Sequence, residues 1–185
     1  KFNDIEKAII LHKLLGYDVQ KDEILASFMP LLYLPSHEGT LKLYLKLLDL
    51  EENVQKALAR EEISMNVAKA FVDMEKGARE ILFAWINLLA LNFNQQIKFI
   101  EYVHDISIKE NAAFSKLLSE GSVLAIAENP RLNKPQKAKA VLEFLRVRRF
   151  PRLARAQHAV ESALSSVSMP PEASIHYDPY LESPY

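Results

Sequence analysis

A proline set between two helical apolar repeats constrains this chain more than any other feature. From Lys21 to Leu50 it runs KDEILASFMPLLYLPSHEGTLKLYLKLLDL. Ile24, Leu25, Phe28, Leu31 and Leu32 recur at the spacing of one helix face, and Leu41, Tyr44, Leu45 and Leu48 do so again. Pro35 has no backbone N–H to donate and biases Leu34 away from helical geometry, so the segments read as two helices joined by a turn. Ser36 is the expected N-cap of the second. At about 100° per residue the apolar residues of that second helix cover one face. Lys42 and Lys46 then point outward with Gly39 between them. This is the layout of a DNA recognition helix held by its back. Any amphipathic surface helix shares it.

The remaining punctuation predicts more helices and no strands. A first helix is expected over 3–15, with Gly16 as its stop. Asp49 and Glu52 suggest a capping box for a helix ending near Arg60, and Ser64 opens a short one ending near Met74. Gly77 then interrupts. An apolar helix over 79–90 follows, and Asn92 with Gln95 caps the next. Ser107 and Glu110 suggest another box, opening a helix that Gly121 closes. A short piece over 122–128 precedes a helix over 134–150 capped by Asn133. Pro151 suits the first turn of a last helix to about Val167. The expected fold is all-α: a small helical bundle over 1–76, a second over 77–167, and an extended tail over 168–185 that begins before Pro170-Pro171.

Composition removes several classes of function. Cysteine is absent, so disulfides, thiolate metal sites and cysteine nucleophiles are excluded together, in keeping with a reducing, cytoplasmic setting. The longest apolar run, Ile81–Leu91, is too short to span a bilayer, and no signal peptide is evident. The chain opens on Lys1 and reads as a fragment preceded by further sequence. With only four glycines there is no phosphate-cradling loop, and no nucleophile elbow is present. Glu101 and His104 have the Glu-x-x-His spacing of di-iron bundles, but those sites need a second copy and further glutamates. No metal, cofactor or catalytic role is therefore assigned to this stretch.

Charge is unevenly placed. Residues 1–74 hold nine Lys/Arg against twelve Asp/Glu, an acidic balance that works against DNA binding. Residues 131–155 hold nine Lys/Arg against Glu143 alone. Arg146, Arg148, Arg149, Arg152 and Arg155 straddle the Phe150-Pro151 junction. Cations near a helix C-terminus offset the helix dipole, which accounts for two or three of them. The excess suggests a patch that contacts phosphates or an acidic partner.

Four runs resemble one family. Asn3-Asp4-Ile5-Glu6-Lys7-Ala8, Leu45-Lys46-Leu47-Leu48-Asp49-Leu50, Glu52-Asn53-Val54-Gln55-Lys56-Ala57-Leu58 and Ile63-Ser64-Met65-Asn66-Val67-Ala68-Lys69-Ala70 follow one another as in the DNA-binding region of ParB-type partition proteins. The first is similar to that family's N-x-I-E-x-A opening and the last to its L-S-x-x-H-A-R-A helix, with Val67 in place of the histidine. The turn over 28–36 is longer than the family's and holds two prolines. The resemblance implies a helix-turn-helix protein, without enzymatic activity in this stretch, that binds double-stranded DNA as a dimer in chromosome partition or gene regulation. A CTP-using domain would lie upstream. Ser36, His37, Thr40, Lys42 and Lys46 would then approach the major groove, and Arg146, Arg148, Arg149, Arg152 and Arg155 would hold phosphates. The alternative is a protein-interaction module on the same scaffold that has lost base reading and docks an acidic partner.

Overall fold

A computed structural model describes residues 2–165, which form eleven helices; no strand occurs among them. The protein is all-α. No helix among the described residues is long and apolar enough to cross a membrane. The expected extended tail lies outside the described residues. The chain divides into two compact units, Lys1–Lys98 and Phe99–Tyr185.

In the first unit, α1 (Asp4–Gly16) starts at a capping box. The Asn3 side chain accepts from the Glu6 backbone N–H, and the Glu6 carboxylate accepts from that of Asn3. The second helix, α2 (21–31), is α-helical at its ends and π-helical over Ile24–Phe28. Pro30 explains the widened turn: its ring crowds the carbonyl four residues back and it has no N–H to offer. The helix therefore passes Pro30 and reaches Leu31, so the turn is shorter than the proline spacing suggests. After it come α3 (Glu38–Leu47), α4 (Glu52–Ala59), α5 (Met65–Val72) and α6 (Lys76–Leu89). The core of α1 and α3–α5 is built from Leu11, Leu41, Leu47, Leu58, Val67 and Phe71, all buried. Helix α3 packs on both α1 and α5.

A partly buried ion pair fastens α6 to this core. Arg79 grips Glu51 through Nε at 3.1 Å and Nη2 at 2.8 Å, and its Nη1 donates to the Met74 carbonyl at 2.7 Å. Only 13% and 15% of the two side chains stay exposed. The Arg79 guanidinium holds the Glu51 carboxyl below the usual carboxylate range. This contact also explains why the expected Asp49–Glu52 box does not form. Glu51 occupies the N-cap position of α4 and turns its side chain to Arg79 instead of the helix.

Helix α7 (Phe93–Glu110) contains the division between the units. It opens at the Asn92–Gln95 box, whose two hydrogen bonds are both 3.0 Å. In the second unit follow α8 (Phe114–Leu118), α9 (Gly121–Ala127), α10 (Lys134–Arg149) and α11 (Pro151–Ser165). Phe99, Val103, Ile106, Leu117, Val123 and Val141 are buried there. Asn133 and Gln136 cap α10 reciprocally, and Pro151 starts α11. Ser107 opens no helix. It lies inside α7, where its hydroxyl donates to the Ala112 carbonyl at 2.6 Å.

Glycine does not supply the left-handed position that closes these helices. Gly16 is the last residue of α1, while Gly77 and Gly121 lie at the starts of α6 and α9, and no glycine has a positive φ. The left-handed position after α1, α2, α4, α6 and α7 is taken by Asp18, Tyr33, Glu61, Ala90 and Asn111. At each, the next residue's N–H reaches back to the final turn, as from Leu34 to the Met29 carbonyl at 2.9 Å. These are Schellman closures, made at Asp18 and Asn111 with side chains that tolerate the left-handed region and at Tyr33, Glu61 and Ala90 with side chains that disfavour it.

Candidate nucleic-acid interface

Helix α3 is set by what lies behind it. Leu41, Tyr44 and Leu47 are buried, while Leu45 and Leu48 are only half-buried, a small rotation from the expected face. The Tyr44 hydroxyl donates to the Asp4 carboxylate at 2.7 Å, and Lys7 pairs with that carboxylate at 3.1 Å. Burial and the Asp4 charge push the Tyr44 phenol well above its ordinary range, so it remains a neutral donor. Hydrophobic burial and one directional bond thus orient α3 about its own axis.

The opposite face is open. Lys42 and Lys46 keep 70% and 56% of their side-chain surface exposed. Ser36 and His37 are exposed and Thr40 is half-buried. The N-cap is His37, not Ser36, and it makes no side-chain capping bond. Pro35 accounts for the shift: its carbonyl accepts from the His37 N–H at 2.8 Å, which delays helical geometry by one residue. Glu38, the acid at this end, is paired with Lys21 at 2.6 Å and lies 3.9 Å from Lys42. Hydrogen bonding from Lys21 lowers its pKa. An open cleft of about 230 Å³ runs beside α3, lined by Gly39, Lys42, Lys46, Lys69, Val72 and Asp73 among others. Lys69 and Asp73 went unread in the sequence. Their spacing of four residues on α5 was the available signal.

The arginine cluster has a different environment. Arg148 binds Glu110 through Nε at 2.8 Å and Glu120 through Nη1 at 2.6 Å, tying α10 to the end of α7 and to the residue before α9. Arg149 reaches Asp105 and Glu101 and lies over the rings of Tyr102 and Phe150, 5.1 Å and 4.6 Å from their centroids. Arg146 grips Glu143 through Nη2 at 2.7 Å and donates to Gln157 of α11 at 2.9 Å. Arg155 donates to the Pro151 carbonyl, and exposed Arg152 has no ion pair among the described residues. Four of the carboxylates that answer these arginines, Glu101, Asp105, Glu110 and Glu120, lie outside the basic segment. Glu101 thus serves Arg149, and no cluster of metal-binding side chains occurs among the described residues.

No family model, curated protein or solved structure matches the chain.

Proposed function

We propose that the protein binds double-stranded DNA through the exposed face of α3, with α2 and α3 acting as a helix-turn-helix. The observation that carries this reading is the division of α3 into two faces. Leu41, Tyr44 and Leu47 are buried and pinned, while Lys42 and Lys46 project from a face that carries Gly39. A major groove admits one helix, and a helix with a fixed back and a cationic front can enter it. Ser36, His37 and Thr40 stand at its leading end. The ParB-type resemblance of residues 2–74 points to the same role, in DNA partition or gene regulation, without chemistry in this stretch.

The second unit contributes less than its composition suggests. Arg146, Arg148 and Arg149 already satisfy carboxylates, and exchanging those for phosphates would cost the contacts that join the helices. Arg152 and Arg155 are the members assigned to phosphates. One observation favours the protein-interaction reading instead. Phe2, Leu31 and Tyr33 are 54%, 74% and 88% exposed around a cleft of about 490 Å³. Such an apolar opening suits a protein partner better than DNA.

A salt titration with duplex DNA tests the choice. Two phosphate contacts, from Arg152 and Arg155, give a log–log slope of about −1.8. Replacing Lys42 and Lys46 by alanine relaxes or abolishes site preference. Replacing Arg152 and Arg155 weakens all duplexes alike. No duplex binding at low salt contradicts the reading and favours the protein partner.

A further inference from the structure

We infer that the cleft between α3 and α5 seats a phosphate of the DNA backbone, with Lys69 as its third cation and Asp73 as an internal competitor. The inference rests on the DNA-binding reading of α3 and names a contact which that reading does not contain. Lys42 and Lys46 from α3 meet Lys69 from α5 along one cleft of about 230 Å³. The two helices pack directly on each other, so the backbone positions that carry the three lysines are set by the core and not by a flexible loop.

Charge sets the chemistry of the guest. Three lysines and one aspartate line the cleft, in a region where acids otherwise outnumber bases. Lys69 is exposed and makes no ion pair or hydrogen bond among the described residues, although Asp73 lies one turn further along α5. Asp73 instead approaches Lys46 at 3.4 Å, with 73% of the aspartate side chain exposed. An exposed pair of this kind contributes little and yields readily to a competing anion. A phosphodiester brings one negative charge and two acceptor oxygens. It can take the place of the Asp73 carboxylate beside Lys46 while it also engages the unpaired Lys69.

The shape is consistent with a close approach. Gly39 lines the cleft at the start of α3, and nothing lies within 4 Å of where its Cβ would be. The absent side chain leaves the backbone of the first turn open to an anion that would otherwise meet a methyl group. A backbone phosphate held here would fix the depth and register of α3 in the adjacent groove, which is the task that phosphate contacts perform in DNA complexes.

The test is fluorescence anisotropy of the full chain with labelled duplexes of several sequences, at a series of salt concentrations. Lys69→Ala is expected to weaken every duplex alike and to reduce the log–log salt slope by about 1. Asp73→Asn is expected to tighten binding at low salt by about two- to fivefold, since it removes the competitor. Lys56→Ala, an exposed lysine of α4 outside the cleft, should change neither quantity, and circular dichroism checks that each variant is folded. If Lys69→Ala leaves affinity and slope unchanged while Lys42→Ala with Lys46→Ala abolishes binding, the phosphate seat is overturned and the role of α3 stands. If the wild-type chain binds no duplex at low salt, both fall. Lys69-dependent binding of polyglutamate in that case would assign the cleft to an acidic protein.

Discussion

On α3, Lys42 and Lys46 keep more than half of their side-chain surface in solvent, and each has a single exposed carboxylate at 3.4–3.9 Å. On α10, Arg148 and Arg149 keep 22%, and each is met by two carboxylates. The α10 segment is the richer in positive charge, yet less of that charge remains to be given to a partner. Guanidinium groups explain part of the contrast. Their planar fork grips a carboxylate at two points and stacks on rings, as Arg149 does over Tyr102 and Phe150. A lysine on a long stem pairs loosely and stays exchangeable. The difference separates a cationic segment that holds a fold together from one free to bind.

The strongest way to break this contrast is to remove Arg148. Arg148→Ala is expected to destabilise the second unit by about 1–2 kcal/mol, because Glu110 and Glu120 lose a shared partner in a partly exposed setting where solvent screens the loss. Urea unfolding reads this directly, and the salt slope of DNA binding should not move. Lys42→Ala with Lys46→Ala should behave in the reverse way, with stability within about 0.5 kcal/mol of wild type. If the lysine pair unfolds the protein and the arginine does not, the contrast is wrong.

Acid sharpens the same point. Hydrogen bonds from Arg148 hold Glu110 and Glu120 below the ordinary carboxylate value of 4.5. Groups whose pKa is lowered by folding stabilise the fold above their unfolded value, and that contribution is lost as the pH falls through the folded one. Stability should therefore decline below about pH 4.5, and Arg148→Gln should flatten that decline. Equal pH dependence in both proteins would show that the pairs carry no such linkage.

Two smaller effects concern α3. Tyr44→Phe removes the hydroxyl bond to Asp4 and should cost about 1 kcal/mol. A loss of DNA affinity larger than any loss of folded fraction would show that the pin orients α3. Gly39→Ala meets no obstruction and should stabilise the free protein by about 0.5 kcal/mol through helix propensity. It should nonetheless weaken DNA binding if the backbone there approaches a phosphate. Unchanged affinity would remove Gly39 from the interface.

Much of the helical scaffold is legible from short-range chemistry. Asn92 with Gln95 forms the reciprocal cap that its spacing implies, and Asn133, Ser64 and Pro151 open helices where expected. The readings that differ have tertiary causes. Glu51 is drawn to Arg79, across 28 residues, so no box forms at α4. Ser107 lies within a helix whose apolar residues Val103 and Ile106 continue into the core, and its capping potential is spent on Ala112 instead. Gly77 and Gly121 mislead because a Schellman closure needs a left-handed residue at the place where packing ends the helix. Tyr33 and Ala90 stand at such places and accept the strain. The candidate site follows the same division. The faces of α3 follow from helical periodicity, whereas the partners of Arg148 lie 28 and 38 residues away and leave no local mark.

The most direct measurement is a map of backbone amide NMR shifts as duplex DNA is added to the protein. Shifts at Ser36–Lys46, at Lys69–Asp73 and at Arg152 and Arg155, with those of Arg148 and Arg149 unmoved, are the predicted result. Shifts confined to Arg146–Arg155, with α3 undisturbed, would contradict the account.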